Sequence, residues 1–417
     1  MQKGGLAECR AASNEIEFVP GKMAEALESL LAQDPELKML LEKAIAKGAA
    51  VNTNPETNPG KTLPEFLGFI KRCETAMPWD VIPGVDYSRL YLDIDQGMGA
   101  FYFIFNQPLE ELEGRGYYYP CLEYHEPLAS WIYLFVKSWG MHLDRPESWK
   151  PEYMDHVNKE EDFGIESGDY ESPENWHSFN DFFARYLASA DKRPIGSAPL
   201  VSPADSHPEG VWEIDEEGKI VSENGVRIKS EGFNSVAQLL GPFGEEYADL
   251  FRGGVMTHTF LDIHNYHRYH FPVSGTIKAI GKIPGHAAPG GVIYYDTEND
   301  LYRKNGELQR CKYSQEYEIP GWQAIEVRGC IIMDTDFGPA AILPVGMCQV
   351  SSVNFEEGLA AGSAVKKGDP MGCFKFGGSD IIMIFGRNVE ISMLCEDGNG
   401  GYKSLRTGEN YADLTLR

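Results

Sequence analysis

The sequence lacks the features of several common protein classes. Its eight cysteines form no Cys-x-x-Cys pair, which argues against a zinc knuckle or a disulfide framework and favours reduced thiols. Basic residues are few, and the net charge of −26 argues against nucleic acid as a partner. No apolar run approaches the ~20 residues that span a bilayer, and the first residues show no signal peptide. The sequence therefore predicts a cytoplasmic protein without integral membrane association.

Length and composition indicate a globular chain of two domains. The chain has 417 residues, 42% hydrophobic and 24% charged, which is long for a single core. Residues 1–150 are predicted to be a helical N-terminal domain because apolar residues recur there at helical spacing. The predicted helices cover Met23–Leu31, Glu36–Lys47, Leu63–Cys73, Tyr87–Phe105 and Pro127–Trp139, although Gly97 and Gly99 weaken the fourth.

The second half of the sequence has a different residue pattern. Residues 151–177 are acidic and predict a solvated connector. Residues 178–417 begin with a short helix that Ser178 or Asn180 can cap, and then alternate short β-type runs with Gly/Pro turns. The polar stretch Asp296–Glu318 predicts a long surface loop that could act as a lid. The predicted fold class is α+β, with a helical domain followed by a β-rich domain.

A Gly-Gly-Ser sequence precedes a predicted buried strand near the C-terminus. Gly377 and Gly378 permit a sharp bend, and they leave the Gly378 carbonyl open to the hydroxyl of Ser379. An ordinary turn at the start of a strand explains these three residues equally well. Asp205 follows an apolar run in Val201-Ser-Pro-Ala-Asp205, where it is either a turn residue or a rigidly held carboxylate.

His264, His267 and His270 recur at a spacing of three, and three explanations compete for them. A helix would bring the rings to one face, as a zinc site requires, but the His-Glu-x-x-His motif is absent. Aromatic neighbours favour simple packing. A catalytic base would need a nucleophile beside it and a carboxylate to orient it.

Asp205, His270 and Ser379 together form the parts of a serine-activating triad. A hydrolase is the first interpretation, yet Ile381 stands where a Gly-x-Ser-x-Gly elbow has its last glycine. Because Ser379 follows its own Gly-Gly, attack on the protein's own backbone is favoured. A serine hydrolase and a metal-binding protein built on the histidines remain the alternatives from other functional classes.

Seven motifs in one order resemble the phosphatidylserine decarboxylase family of pyruvoyl enzymes. They are SFNDFFARYL (178–187) with Arg193-Pro194, SPAD (202–205), IKSEGFNSVAQLLG (228–241), NYHRYHFPVSG (265–275), IPG (283–285), DTDFGPAAILPVG (334–346) and KKGDPMGCFKFGGS (366–379). The helical first half and YLFVKSWGMHL (133–143) resemble the soluble branch that includes the fungal L-tryptophan decarboxylase. This finer resemblance implies a free aromatic L-amino acid as a small-molecule substrate, with phosphatidylserine as the alternative.

The sequence departs from the family pattern at three places. Ser206 stands where glycine is usual, and Asn265 stands where the lipid enzymes have Asp. Asp380 follows the cleavage serine, so the motif reads Gly-Gly-Ser-Asp where the family has Gly-Ser-Thr or Gly-Gly-Ser-Ser. A carboxylate at Asp380 would disfavour an oxyanion at the neighbouring peptide bond.

The resemblance implies that the chain makes its own cofactor. His270, oriented by Asp205, takes the proton of Ser379, whose hydroxyl attacks the Gly378 carbonyl and forms an ester. β-Elimination then releases residues 1–378, and hydrolysis leaves a pyruvoyl group at position 379 of the short chain 379–417. The two chains stay associated. The pyruvoyl group forms a Schiff base with the substrate amine and replaces pyridoxal phosphate, with no metal, and His267 is the expected proton donor.

Overall fold

The computed structural model describes residues 16–113, 115, 119–221, 235–289, 291–305, 326–347, 352–376 and 379–416, with backbone alone at 305 and 379. These residues form the α+β fold that the sequence predicts, with helices first and antiparallel strands after them. In the part of the chain so described, no helix is both long and apolar enough to cross a bilayer.

The first part is a group of helices around one apolar core. The helices of this part are α1 (Met23–Gln33), α2 (Pro35–Val51), α3 (Leu63–Cys73), α4 (Leu90–Phe103), α5 (Leu128–Leu143), α6 (Tyr153–Val157) and α7 (Phe179–Phe183). Two later helices, α8 (Val236–Leu240) and α9 (Gly244–Tyr247), pack instead in a separate apolar core that they share with strands. Short 3₁₀ turns cover Glu110–Leu112, Leu122–Tyr124, Pro146–Ser148, Glu161–Phe163, Ile165–Ser167, Pro173–Asn175, Ala190–Lys192, Gly241–Phe243 and Ala248–Phe251. The five predicted helical segments correspond to α1–α5.

The most apolar helix, α5, lies inside the core. Trp131, Phe135 and Trp139 are buried, and their rings pack in a row along the helix. Nearby, Gly99 of α4 lies so close to Tyr302 that an added Cβ would collide with the Tyr302 side chain. The glycine that weakened the prediction of α4 therefore permits this helix to contact the β-rich part directly.

The acidic connector is exposed over most of its length, as the sequence predicts, but it is anchored at a few positions. Val157 and Phe163 are fully buried, and the buried Glu160 accepts a hydrogen bond from Arg89 (Nη2–Oε1, 2.7 Å). Asp169 also pairs with Arg193 at 3.1 Å. Three of its carboxylates thus form ion pairs, and its few apolar residues anchor it to the rest of the protein, while most of its other charges are exposed.

The second part is built from antiparallel strands. They are β1 (Leu200–Val201), β2 (His207–Ile214), β3 (Ile220–Val221), β4 (Val255–Leu261), β5 (Arg268–His270), β6 (Gly275–Ile283), β7 (Val292–Asp296), β8 (Leu301–Asn305), β9 (Arg328–Thr335), β10 (Gly338–Gly346), β11 (Val353–Phe355), β12 (Ala364–Val365), β13 (Pro370–Phe374), β14 (Ser379–Phe385), β15 (Val389–Met393) and β16 (Asn410–Leu416). Eight of them form one sheet in the order β12-β6-β9-β10-β14-β4-β2-β3.

Strand β14 lies in the interior of this sheet, between β10 and β4. Its side chains alternate between two cores, as the two-residue period of a strand requires. Ile381, Met383 and Phe385 face one core, whereas Ile382 and Ile384 face the other. The predicted buried strand is confirmed, and it starts at residue 379.

A hairpin of β7 and β8 replaces the first part of the predicted surface loop. The two strands pair from Val292↔Asn305 to Asp296↔Leu301, and Tyr302 is 2% exposed. The prediction of a loop is therefore wrong for 301–305, because these residues pair with β7 and Tyr302 is buried. Residues 306–318 of that prediction lie outside the described residues.

Candidate active site

Residue 379 is placed by its neighbours on both sides. It opens β14, and its register partners are Gly346 of β10 and Leu261 of β4. The bend predicted at Gly377 and Gly378 lies outside the described residues, so the geometry of the cleavage bond stays a prediction.

The chain that leads to residue 379 is anchored by α7. Phe376 is fully buried against Phe179 and Phe183, with ring centroids 5.3 and 5.4 Å away. The backbone N–H of Phe376 donates to Oδ1 of Asn180 at 3.1 Å. Ser178 caps this short helix by accepting from the Asp181 N–H at 3.1 Å, as the sequence predicts. The motif at 178–187 therefore fixes the approach to the predicted cleavage site.

Asp205 is a buried carboxylate in a dense set of donors. Arg193 donates to both of its oxygens, at 3.0 Å from Nε and 2.6 Å from Nη2. Thr407 adds its backbone N–H at 2.8 Å and its hydroxyl at 2.9 Å. Two-pronged pairing with a guanidinium is strong and geometrically specific. Asp205 is thus rigidly held, as one of the two sequence-based explanations expects.

His270 differs from the prediction in its orienting partner. Its Nδ1–H donates to the Gly368 carbonyl at 2.9 Å, and its Nε2 lies 3.4 Å from the Tyr266 hydroxyl. Among the described hydrogen bonds, none joins His270 to Asp205, because Arg193 and Thr407 engage that carboxylate. The predicted direct orientation of His270 by Asp205 is therefore corrected: a backbone carbonyl fixes the tautomer. Asp205 still acts on the ring through its charge.

The electrostatics of His270 suit a base. Burial lowers the pKa of His270, and this effect outweighs the Gly368 hydrogen bond and the Asp205 charge, which raise it. A neutral imidazole whose Nδ1 carries the proton leaves Nε2 as the basic atom. This is the state needed to take a proton from a hydroxyl.

His267 is the most enclosed histidine of the run. It has no exposed surface, its ring stacks on Phe183 at 4.0 Å between centroids, and its Nδ1–H donates to the Asn265 carbonyl at 2.8 Å. Its Nε2 is buried and has no hydrogen-bond partner among the described residues. Burial and the nearby Arg185 charge lower the pKa of His267 to about 3. A buried acceptor without a partner is costly and marks a position where a ligand can bind.

The histidine run does not form the helix on which the metal interpretation depends. Residues 268–270 are strand β5, and His264 lies in the preceding turn near the rings of Tyr91 and Phe163. In the described ranges, no group of three or more His, Cys, Asp or Glu side chains is arranged to hold a metal.

A cavity of about 80 Å³ lies beside residue 379. It is lined by Leu261, the register partner of residue 379, and by Met347, which follows the other partner. Helix α4 and the β7–β8 hairpin supply much of the remaining wall. The lining residues are Tyr91, Asp95, Met98, Gly99, Phe260, Leu261, Asp262, Ile263, Pro289, Ile293, Tyr302, Arg303, Lys304 and Met347.

The cavity combines an apolar wall with a few ionisable groups. Burial raises the pKa of Asp95 against the opposing Gln96 hydrogen bond. Burial, with the charges of Asp262 and Asp95, raises the pKa of Tyr91 to about 12, so this phenol stays neutral. Arg303 and Lys304 lie at the exposed edge. The sequence analysis did not identify these cavity residues. Gly99, on a predicted helix, was the one feature of the sequence that could have indicated a close contact there.

Comparisons with known proteins agree with the site. The phosphatidylserine decarboxylase family profile matches residues 179–413. The phosphatidylserine decarboxylase proenzyme of Fusobacterium nucleatum is 30% identical over 257 residues, which are 61% of this chain and 74% of that protein. The proenzyme of Saccharophagus degradans is 30% identical over 261 residues, 58% of this chain and 79% of the relative. The proenzyme of Citrobacter koseri is 31% identical over 233 residues, which are 51% of this chain and 63% of that protein. The chain therefore belongs to the phosphatidylserine decarboxylase family, and it is a carboxy-lyase that uses a self-derived pyruvoyl group and no pyridoxal phosphate.

Proposed function

We propose that the protein cleaves itself between Gly378 and Ser379 and then decarboxylates the serine head group of phosphatidylserine. The observation that carries this proposal is the position of residue 379, at the start of an interior strand beside a cavity. The names of the relatives support the lipid as substrate, which reverses the order of the two sequence-based expectations.

The residues around position 379 fit a pyruvoyl group. The Nε2 of His267 has no hydrogen-bond partner among the described residues, and the His267 ring packs on Phe183. Phe183 in turn contacts Phe376, three residues before position 379. A pyruvoyl group supplies an electron sink for the pair released when CO₂ leaves an amino acid. The apolar part of the cavity wall would favour the loss of that charge.

In the cleavage step, His270 is proposed as the base. Its Nε2 takes the Ser379 hydroxyl proton, and the hydroxyl oxygen bonds to the Gly378 carbonyl carbon. The peptide C–N bond then breaks as Nε2 returns the proton to the Ser379 nitrogen, which leaves an ester and a free amine. Asp205 and Arg193 are proposed as positioning residues, since their paired side chains hold the loop before β2 next to β5. The N–H of His270 donates to the Pro203 carbonyl at 2.8 Å, which ties the two segments together.

In decarboxylation, His267 is proposed to move a proton. With a pKa of about 3 its ring is neutral, so Nε2 must first accept a proton before it can donate one. A substrate ammonium is one such source. This changes the sequence-based expectation, in which His267 is simply a donor.

The two cleavage products are proposed to stay together. Strand β14 of the short chain is hydrogen-bonded on both sides to strands of the long chain. Strand β16 pairs with β1 as well. Separation would expose the residues of β14 that both cores bury.

A free aromatic L-amino acid such as tryptophan is the second candidate substrate. The cavity favours it, because α4 supplies part of the wall and lies outside the region that the family profile matches. The apolar wall would suit an aromatic ring, whereas Arg303 and Lys304 at the edge would suit a lipid phosphodiester.

CO₂ release decides between the two substrates. Purified protein would be given carboxyl-labelled phosphatidylserine in phosphatidylcholine vesicles, or carboxyl-labelled free L-tryptophan, with Ser379→Ala as the control. Release from the vesicles supports the first proposal. Release from free tryptophan alone overturns it in favour of the second, and release from neither contradicts both.

A further inference from the structure

Asp380 directly follows the cleavage serine and is fully buried. Its Oδ1 lies 3.0 Å from Nδ1 of His258 on the neighbouring strand β4. The register pairs Asp380 with Phe260 and Ile382 with His258, so the two side chains form a diagonal pair on one face of the sheet. His258 also stacks on Trp212 of β2, with centroids 4.9 Å apart and planes at 26°.

We propose that His258 is a positioning residue for self-cleavage, and that its imidazolium is the counter-ion that permits an aspartate next to the cleavage serine. The inference rests on the proposed cleavage at Gly378–Ser379. It explains why the departure at Asp380 is tolerated, since the carboxylate is paired with His258 rather than left unbalanced beside the scissile bond.

The physical argument is one of charge. During the attack, the Gly378 carbonyl oxygen becomes an anion two residues from the Asp380 carboxylate, and like charges at short range in a buried site repel. A protonated His258 makes the pair neutral overall. It also holds the carboxylate on the face of β14 that carries Ile382, by means of a charge-assisted hydrogen bond.

The groups that face the pair come from two further strands. Strand β2 contributes Trp212 and the charge of Glu209, and β16 contributes Tyr411, whose hydroxyl donates to the His258 carbonyl at 3.2 Å. Burial lowers the pKa of His258, but the Asp380 charge and hydrogen bond, with Glu209, outweigh burial and raise it. Burial raises the pKa of Tyr411, so it stays neutral. His258 is therefore the group whose titration changes the charge of the pair.

The test measures the rate at which freshly translated chain is cut, by gel and mass, from pH 5.5 to 9. His258→Gln should cut about tenfold more slowly than wild type at pH 7, the effect of losing one charge-assisted hydrogen bond. Adding Asp380→Asn to His258→Gln should restore the cleavage rate to within about twofold of wild type, because the carboxylate that lacks a counter-ion is gone. His207→Gln, on the adjacent strand β2, is the matched control.

Wild type should lose cleavage rate on the alkaline side as His258 loses its proton, and Asp380→Asn should lack this alkaline limb. An unchanged rate in His258→Gln, or no rescue by the second substitution, overturns the inference. If His258→Gln does not fold, the pH–rate profile of Asp380→Asn provides the test instead. A cleavage rate that still falls on the alkaline side in Asp380→Asn contradicts the proposal. Failure of wild type to cut at any pH would instead overturn the proposed function.

Discussion

The ring of His267 stacks on Phe183 with 4.0 Å between centroids, and its Nε2 is buried without a partner among the described residues. Phe183 also contacts Phe376, on the segment that leads to residue 379. One aromatic side chain thus connects the helix of the first family motif, the histidine run and the predicted cleavage segment.

Replacing His267 should separate the two reactions. We expect His267→Asn to cut itself nearly as wild type does, because His270 serves as the base for cleavage. Decarboxylation should fall by about 10²–10⁴ in kcat, the usual contribution of a general acid or base. Gel analysis of cleavage beside CO₂ release measures both, with His264→Asn as the control. An equal loss of both reactions would contradict the division of roles.

Breaking the Arg193–Asp205 pair should destabilise the protein. Arg193→Met leaves a buried carboxylate with only Thr407 as a donor, and losing one partner of a buried ion pair costs roughly 3–5 kcal/mol. Urea unfolding would measure the difference. The matched control is Arg387→Met, which breaks the exposed pair with Glu216 and should change stability little. Similar losses in both variants would contradict this account of the site.

Self-cleavage should persist into mildly acidic solution. The base must be neutral, and the pKa of His270 is lowered mainly by burial, so protonation begins at a lower pH than for an ordinary histidine. We expect the rate of cleavage to fall on the acid side with a midpoint below 6.5, the ordinary histidine value. Measurement of the cleavage rate between pH 4.5 and 7 tests this. A midpoint above 6.5 would show that the charge of Asp205 dominates instead.

Glu326 should make the protein less stable as pH rises. Burial raises the pKa of Glu326, its Oε1 has no partner among the described residues, and its Oε2 accepts from the Ala288 N–H at 3.1 Å. A group whose pKa is higher in the folded than in the unfolded protein contributes its full stability at a pH below the unfolded-state pKa. This contribution is lost as the pH rises toward the folded-state pKa.

The test of this linkage is Glu326→Gln. Its advantage in unfolding free energy over wild type should grow between pH 5 and 8 by about 1.4 kcal/mol per pH unit while the folded carboxyl stays protonated. Glu147→Gln, an exposed site, is the control. An advantage that does not change with pH would contradict a buried protonated carboxyl.

Local patterns in the sequence predicted much of the fold. Helix α3 has the predicted bounds because Thr62 caps it and its apolar residues follow the helical period. The interior strand after Ser379 was predicted because its apolar run is continuous. The hairpin strand β8 was missed because the burial of Tyr302 depends on contacts with α4, some 200 residues earlier, including Gly99 and Gln96.

The residues of the candidate site were chosen from sequence motifs and their roles stay predictions, whereas their hydrogen-bond partners could not be predicted. Asp205, His267 and His270 were chosen from their motifs, and all three are buried or nearly so around the β1–β5 region. The partner of His270 is the carbonyl of Gly368, and a backbone carbonyl leaves no signature in the sequence. His258 was missed because it pairs with Asp380 across strands that are 122 residues apart.

The central claim is that Ser379 becomes the reactive group, and mass spectrometry after reduction tests it most directly. Purified wild type would be treated with borohydride in the presence of substrate, beside Ser379→Ala. The account predicts chains of residues 1–378 and 379–417, with a reduced substrate adduct on the short chain, and an intact, unmodified Ser379→Ala. An intact wild-type chain, or a short chain without an adduct while CO₂ is released, would contradict it.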